Sequence, residues 1–329
     1  MSSGAYEVLI IGCGNIAGGF DIPRASHLLP LSHAGAYFKH KGFTLTACVD
    51  PEYQRRQAFA HHWGVDKDAA NLVELDAEPG AFDVISICSP TALHQEHLEQ
   101  AIALRPRVIF CEKPITSDFD AAYRLVRLCN DNGITLVVNY SRRWDPCVGE
   151  MISQLREGRW GSVRSVVGHY NKGILNNGGH MVDLLMQLVG PLELIQTIFP
   201  VFDFWENDPT VAALLTAASG TVPVYLNPAD ARDYAYFELE VVCSLGVIRM
   251  ESGGMGWQRR EAVPSSQFVG YQTLDAATQT AGRYLETMTR AINEIHDHLQ
   301  TGTPVSSSGK QALQAQELCM HIQRQALMK

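Results

Sequence analysis

Glu112-Lys113-Pro114 follows the apolar run Val108-Ile109-Phe110-Cys111. A short apolar run ending in a charged pair and a proline reads as a buried parallel strand. Its last residues emerge at the carboxyl edge of the sheet, where open α/β sheets bind their ligands. Desolvation there can turn Lys113 into a working base, and its charge can stabilise a developing oxyanion; the alternative is a strand-end lysine in solvent. A second reactive stretch runs from Tyr170 to Asp183, where glycines and asparagines lead into an apolar helix with His180 in its first turn. Imidazole carries protons near neutral pH, and Asp183, three residues on, is placed to fix its tautomer. Asn176, four residues before His180, shares its side of the helix if the helix reaches back that far. A helix-start histidine also occurs as a surface or packing residue.

Near the start, the run Val8-Leu9-Ile10-Ile11 leads into Gly12-Cys13-Gly14-Asn15-Ile16-Ala17, a G-x-G-x-x-A turn. Strand, glycine turn and helix start form a dinucleotide cradle. Gly12 allows the turn, Gly14 lets the backbone approach a pyrophosphate, and the helix end at Asn15 and Ile16 presents N–H donors. A second strand, Thr44 to Val49, ends in Asp50, whose carboxylate suits the ribose diol of NAD and repels the 2′-phosphate of NADP. NAD is therefore expected over NADP, although Arg55 and Arg56 lie nearby. Asp50 comes later than usual: about 20 positions normally separate turn and acid. The surplus, residues 18–32, has loop composition and reads as an insertion reaching over a substrate, with Asp21 and Arg24 as candidate contacts or as solvated loop charges. A helix resumes near His33.

Further strands at Asp83–Cys88 and Thr135–Tyr140 alternate with helices from Ala92 to Leu104 and from about Asp118 to Asp131. Ser89 caps the first in this reading, and Thr116 or Ser117 starts the second. Serial βα units predict a doubly wound parallel Rossmann sheet over residues 1–146. Beyond Ser141-Arg142-Arg143-Trp144, a group that either closes over the cofactor or forms the interdomain joint, a helix is expected at Met151–Glu157. Short alternating strands at Val163–Tyr170, Leu192–Phe199, Val211–Ala217, Val222–Leu226, Tyr236–Cys243 and Val247–Glu251 then predict an α+β domain over 147–329 with a large, open, mostly antiparallel sheet. The final helices, Arg283–Gln300 and Lys310–Met328, are expected to bring the chain back.

At 329 residues, with 46% hydrophobic and 19% charged residues, the chain suits two soluble domains. A net charge of −9 without a basic cluster argues against nucleic acid and anionic membranes as partners. No apolar stretch reaches the ~20 residues a membrane helix needs, and Met1–Tyr6 does not read as a leader. The eight scattered cysteines read as small buried hydrophobes of a reducing compartment, and the cytoplasm is expected. His94 and His97 are spaced for a shared metal but lack a third ligand, so they read as ordinary helix residues and no metal is expected.

Taken in order, the glycine turn, Val49-Asp50-Pro51, Ser89-Pro90-Thr91 with His94, Glu112-Lys113-Pro114, Arg143, and the series Gly173, Leu175, Gly179, His180, Asp183 resemble the Gfo/Idh/MocA family, the glucose–fructose oxidoreductase and inositol dehydrogenase group. The resemblance implies NAD(P)-linked hydride transfer on a sugar, inositol or sugar nucleotide, by homodimers or homotetramers built on the open sheet. It implies a cofactor site of Gly12, Gly14, Asn15, Ile16, Asp50, Ser89, Pro90, His94, Glu112, Lys113 and Arg143. Lys113 takes the place of the family's catalytic or substrate-anchoring lysine and His180 that of its active-site histidine. Asn176 stands where the family often has Asp; an amide hydrogen-bonds but cannot ionise, which puts a proton relay through it in doubt. The same departure leaves open a non-catalytic, dinucleotide-binding regulator. A short-chain dehydrogenase is discounted because no Tyr-x-x-x-Lys pair falls in the right place.

Overall fold

Short strands made almost wholly of β-branched and aliphatic residues form the first sheet, and their burial on both faces explains why they do not alternate. The structure, a computed structural model, describes residues 4–217, 220 and 222–328. The strands are β1 (Tyr6–Ile11), β2 (Phe43–Val49), β3 (Lys67–Ala69), β4 (Val84–Ile87), β5 (Val108–Cys111) and β6 (Thr135–Val138). They pair in the order β3-β2-β1-β4-β5-β6, all parallel. The order reverses between β1 and β4, the switch point at which such sheets open a ligand crevice.

The connecting helices are α1 (His33–Lys39), α2 (Tyr53–Trp63), α3 (Leu72–Leu75), α4 (His94–Ala103) and α5 (Phe119–Asp131). Side chains of Ser32, Glu52, Asn71 and Asp118 cap α1, α2, α3 and α5 by accepting first-turn N–H groups. Asp118 thus takes the place expected for Thr116 or Ser117. Ser89 does not cap α4, which grows out of a 3₁₀ turn over Thr91–Leu93 without a side-chain cap. α2 is absent from the sequence reading because its polar surface carries no helical stripe.

The chain divides into two compact units: residues up to Trp144 with Leu285–Leu313, and Asp145–Tyr284 with residues from Gln314 on. In the first, Met288, Ala291, Ile292, Ile295 and Leu299 join the core around Val8, Ile10, Tyr37 and Phe43. The second unit opens with α6 (Pro146–Arg156), five residues earlier than the expected Met151, because Asp145 caps it and Pro146 occupies its first turn. α7 (Gly178–Val189) follows β7 (Val163–Tyr170). Then come β8 (Leu192–Trp205), β9 (Asp208–Ala217), β10 (Pro223–Pro228), β11 (Phe237–Cys243), β12 (Gly246–Glu251), β13 (Gly256–Pro264), β14 (Gln272–Leu274) and β15 (Thr278–Ala281). These form a nine-stranded sheet in the order β14-β13-β12-β11-β7-β10-β9-β8, with β15 on β13. Only the β7–β10 pair is parallel. The mixed, mostly antiparallel second sheet beside a Rossmann sheet is the α/β architecture expected. Last come α8 (Thr287–Thr301) and α9 (Gly309–Leu327), the latter divided between the units at 313/314.

Candidate active site

The carboxyl edge of the parallel sheet collects the residues expected at the cofactor. Gly12 has φ +87°, and a Cβ there would lie 2.7 Å from the backbone nitrogen of Ser89. Only glycine lets the ends of β1 and β4 approach this closely. A Cβ on Gly14 would instead meet nothing within 4 Å. That open space beside the backbone is what a pyrophosphate requires, so the turn fits a dinucleotide. Asn15–Gly19 makes a single five-residue π turn, after which the chain leaves the helix path. Asp50 is buried rather than exposed: its Oδ2 accepts from the Cys13 N–H at 2.9 Å and its Oδ1 from the Glu52 N–H at 2.9 Å. The half-exposed Arg55 donates to both oxygens, at 3.2 and 3.3 Å. Asp50 therefore ties the phosphate turn to α2, and carboxylate lone pairs remain for a ribose.

The 18–32 insertion was expected to reach over a substrate. It is tied to the start of α1, because Asp21 accepts from the N–H groups of Leu31 and Ser32 and from the Ser32 hydroxyl. Arg24 pairs with Asp21 at 3.4 Å. The insertion, α1 and the end of α2 enclose a cavity of about 390 Å³ lined by Arg24, Leu28, Phe38, Lys39 and Trp63.

Next along the edge, Glu112 and Lys113 are both half-buried. Glu112 Oε1 accepts from His33 Nε2 at 3.0 Å and from Asn139 Nδ2 at 2.6 Å. Burial pushes the Glu112 carboxyl up, but the hydrogen bonds from His33 and the Asn139 amide and the Lys113 ammonium together pull it below the usual glutamate range. His94 is buried, not on a helix surface. Its Nδ1 meets the Pro114 carbonyl and its Nε2 the Ser89 carbonyl, each at 2.8 Å. It thus fixes the chain after β4 against the chain after β5, bracketing Lys113. The Ser89 hydroxyl faces His97 Nδ1 at 2.8 Å, and Pro90 leads into the 3₁₀ turn. Burial lowers the pKa of His97. Arg143 donates to the Ser306 carbonyl at 2.9 Å, and Trp144 Nε1 to Glu294 at 2.9 Å.

In the second unit the stretch after β7 is held from outside itself. Lys172 has φ +64°, and its N–H donates to Asp203 Oδ2 at 2.8 Å. The Gly173 N–H donates to Thr210 Oγ1, which donates to Asp203 Oδ1. Asp208 accepts the N–H groups of Leu175 and Asn176 at 2.9 and 3.0 Å. A side chain on Gly173 would collide with that carboxylate, its Cβ falling 2.1 Å from Oδ2. A π turn over Gly173–Asn177 runs directly into α7, so Asn176 and His180 share one helical stretch. Asp183 is buried and accepts from Gln187 at 2.9 Å. Asp203, Thr210 and Asp208 escaped the sequence reading because they come from strands about thirty residues downstream. His33, Ser86 and Asn139 escaped it for the same kind of reason, the one signal being a serine inside the otherwise apolar β4.

A six-stranded parallel sheet with a glycine turn at its switch point defines the first unit as a nucleotide-binding Rossmann fold. Residues 6–140 match the Gfo/Idh/MocA family model, described as "Oxidoreductase family, NAD-binding Rossmann fold". The chain is 25% identical over 304 residues to the inositol 2-dehydrogenase of Rhizobium meliloti (strain 1021), covering 86% of this chain and 89% of that one. The 3-ketoreductase KijD10 of Actinomadura kijaniata, solved with NADP and TDP-benzene, shares the fold at a TM-score of 0.77 and 18% identity, over 98% of each chain. An oxidoreductase of Agrobacterium radiobacter, solved with NAD+, L-tartaric acid and magnesium, shares it at 0.75 and 18% identity, over 98% of this chain and 97% of that one. Among the described residues no helix is long and apolar enough to cross a membrane, and no group of three or more His, Cys, Asp or Glu is placed to hold a metal ion.

Proposed function

We propose that this protein is an NAD(P)-dependent oxidoreductase acting between the nicotinamide and a secondary hydroxyl or ketone of a sugar, inositol or sugar nucleotide. The observation that carries the reading is the sheet edge itself. The open space at Gly14, the tied Asp50 and the Glu112–Lys113 pair, braced by His94, occupy successive strand ends of one crevice. Names of relatives such as inositol 2-dehydrogenase and KijD10 agree with the substrate class.

When bound, the cofactor supplies or accepts the hydride. The chain supplies the rest. Gly12, Gly14, Asn15 and Ile16 receive the pyrophosphate, Asp50 the adenosine ribose, and the edge formed by Ser89, Pro90, Glu112 and Arg143 borders the nicotinamide half. Lys113 stabilises the oxyanion that develops as the hydroxyl is oxidised, and Lys113 or His180 takes its proton. Asn176 orients the substrate by hydrogen bonds without exchanging a proton. NAD is preferred over NADP because a 2′-phosphate would meet Asp50. Copies associate through the open sheet of the second unit as a homodimer or homotetramer.

The test is reduction of NAD followed by absorbance across a panel of inositols, hexoses and sugar nucleotides. Lys113→Ala is expected to lower turnover by at least ~10²-fold, the scale of an acid–base group. A rate equal to wild type removes Lys113 from the reaction. Tight NAD binding with no turnover of any substrate, together with capture of a protein partner, favours a regulator.

A further inference from the structure

His33 of α1 and Asn139, just after β6, donate to the Glu112 carboxylate, and Ser86 of β4 stands behind His33. His33 is fully buried, with its ring 4.3 Å from that of Phe110. Its Nε2 faces Glu112 Oε1 at 3.0 Å, its Nδ1 faces Ser86 Oγ at 3.3 Å, and Ser86 Oγ meets the Tyr37 hydroxyl at 3.0 Å. A nitrogen facing a carboxylate must donate. With one ring proton, Nδ1 then accepts from the Ser86 hydroxyl, and Ser86 accepts from Tyr37. The set closes in one direction, Tyr37 to Ser86 to His33 to Glu112. Asn139 donates to the same Oε1, and the Glu112 side chain keeps 14% of its surface exposed. A buried relay of this kind has no role in filling the core, where an apolar side chain at 33 would pack against Phe110 at lower desolvation cost.

We propose that His33 is a positioning residue of the hydride-transfer site: it holds Glu112 as a carboxylate, turned so that Oε2 is presented to the nicotinamide half of the cofactor beside Lys113. The inference rests on the reading of the Glu112–Lys113 edge as the nicotinamide site. The groups facing Glu112 are few. His33 and Asn139 donate to it, and Lys113 adds a positive charge from the same strand end. Cys88 and Cys111 sit beside it as thiols, pushed well above their usual range by burial and then by Glu112 itself. Removing the His33 donor withdraws a hydrogen bond that is stronger to the ionised than to the protonated form of Glu112, so protonation becomes easier.

The experiment is NAD binding to the full-length protein, followed by quenching of tryptophan fluorescence from about pH 3 to about pH 8, with circular dichroism as a check on folding. Wild type should lose affinity on the acid side as Glu112 takes up a proton. His33→Leu should move that loss upward by about one pH unit, which is about tenfold weaker binding within the shifted range. His33→Gln, whose amide reaches the same oxygen, should restore the wild-type profile, and Glu112→Gln should abolish the acid limb. An acid limb left in place by His33→Leu, or retained in Glu112→Gln, overturns the proposal. Where His33→Leu does not fold, Asn139→Ala removes the second donor to Oε1 and should move the limb the same way; an unmoved limb again overturns it. The outcome is separable from the functional reading. A moved limb with wild-type turnover in Lys113→Ala defeats the catalytic assignment alone, and an unmoved limb with an inactive Lys113→Ala defeats only the role of His33.

Discussion

Asp50 has two oxygens and three partners before any cofactor arrives. It fixes the phosphate turn through Cys13, starts α2 through Glu52 and engages Arg55. A ribose diol can still share these oxygens, whereas a 2′-phosphate would face the carboxylate and need Arg55 to turn away from it. Asp50→Ser is therefore expected to lower the ratio of kcat/KM with NAD to that with NADP by about tenfold or more, the effect of ~1.4 kcal/mol. It should also cost about 1–3 kcal/mol of stability, because Cys13 and Glu52 lose acceptors. A ratio that stays constant while stability falls would assign Asp50 to the turn alone.

The stretch carrying Asn176 and His180 is an element whose shape is set by its neighbours. Helical first-turn N–H groups need acceptors, and here Asp208 of β9 serves as a cap brought in from another strand. Asp208→Ala should destabilise the protein by about 1–3 kcal/mol in denaturant melts and raise KM more than it lowers kcat. Asp208→Asn, which keeps one acceptor oxygen, should recover part of both, whereas equal stability in all three proteins would show the cap to be dispensable. The same contrast explains what the sequence could convey. β1, β4, β5 and β7 were legible because each is an apolar or alternating run fixed by its own residues. The glycine turn and Glu112-Lys113 were legible because their chemistry is local. β8 extends to Trp205, beyond the expected Phe199, and β13 to β15 went unread, because edge pairing and hairpin extension depend on a partner strand. Asp203, Asp208, His33 and Asn139 belong to the site by contacts that span the fold, and spacing along the chain carries no trace of those.

For the molecule as a whole, β8 presents a long, largely exposed strand. It lies at one end of the nine-stranded sheet with Ile195, Ile198, Phe199, Phe202, Phe204 and Trp205 exposed, Phe199 at 83%. A long edge strand bearing this much apolar surface is the candidate surface for the association proposed above. Phe199→Asp is expected to shift the protein to monomers in sedimentation or light-scattering measurements, with the melting transition retained. An unchanged mass would move the interface elsewhere.

The chain's late return has a different consequence, one of timing. The first unit receives Met288, Ala291, Ile292, Ile295 and Leu299 only from α8, and the second takes Leu318, Cys319 and Ile322 from α9. During synthesis neither unit can close its core as it leaves the ribosome, although domains ordinarily fold in order of emergence. Both wait for the segment from residue 285 onward to be made. A stop codon before residue 285 would therefore leave two open cores instead of one finished domain and one missing one.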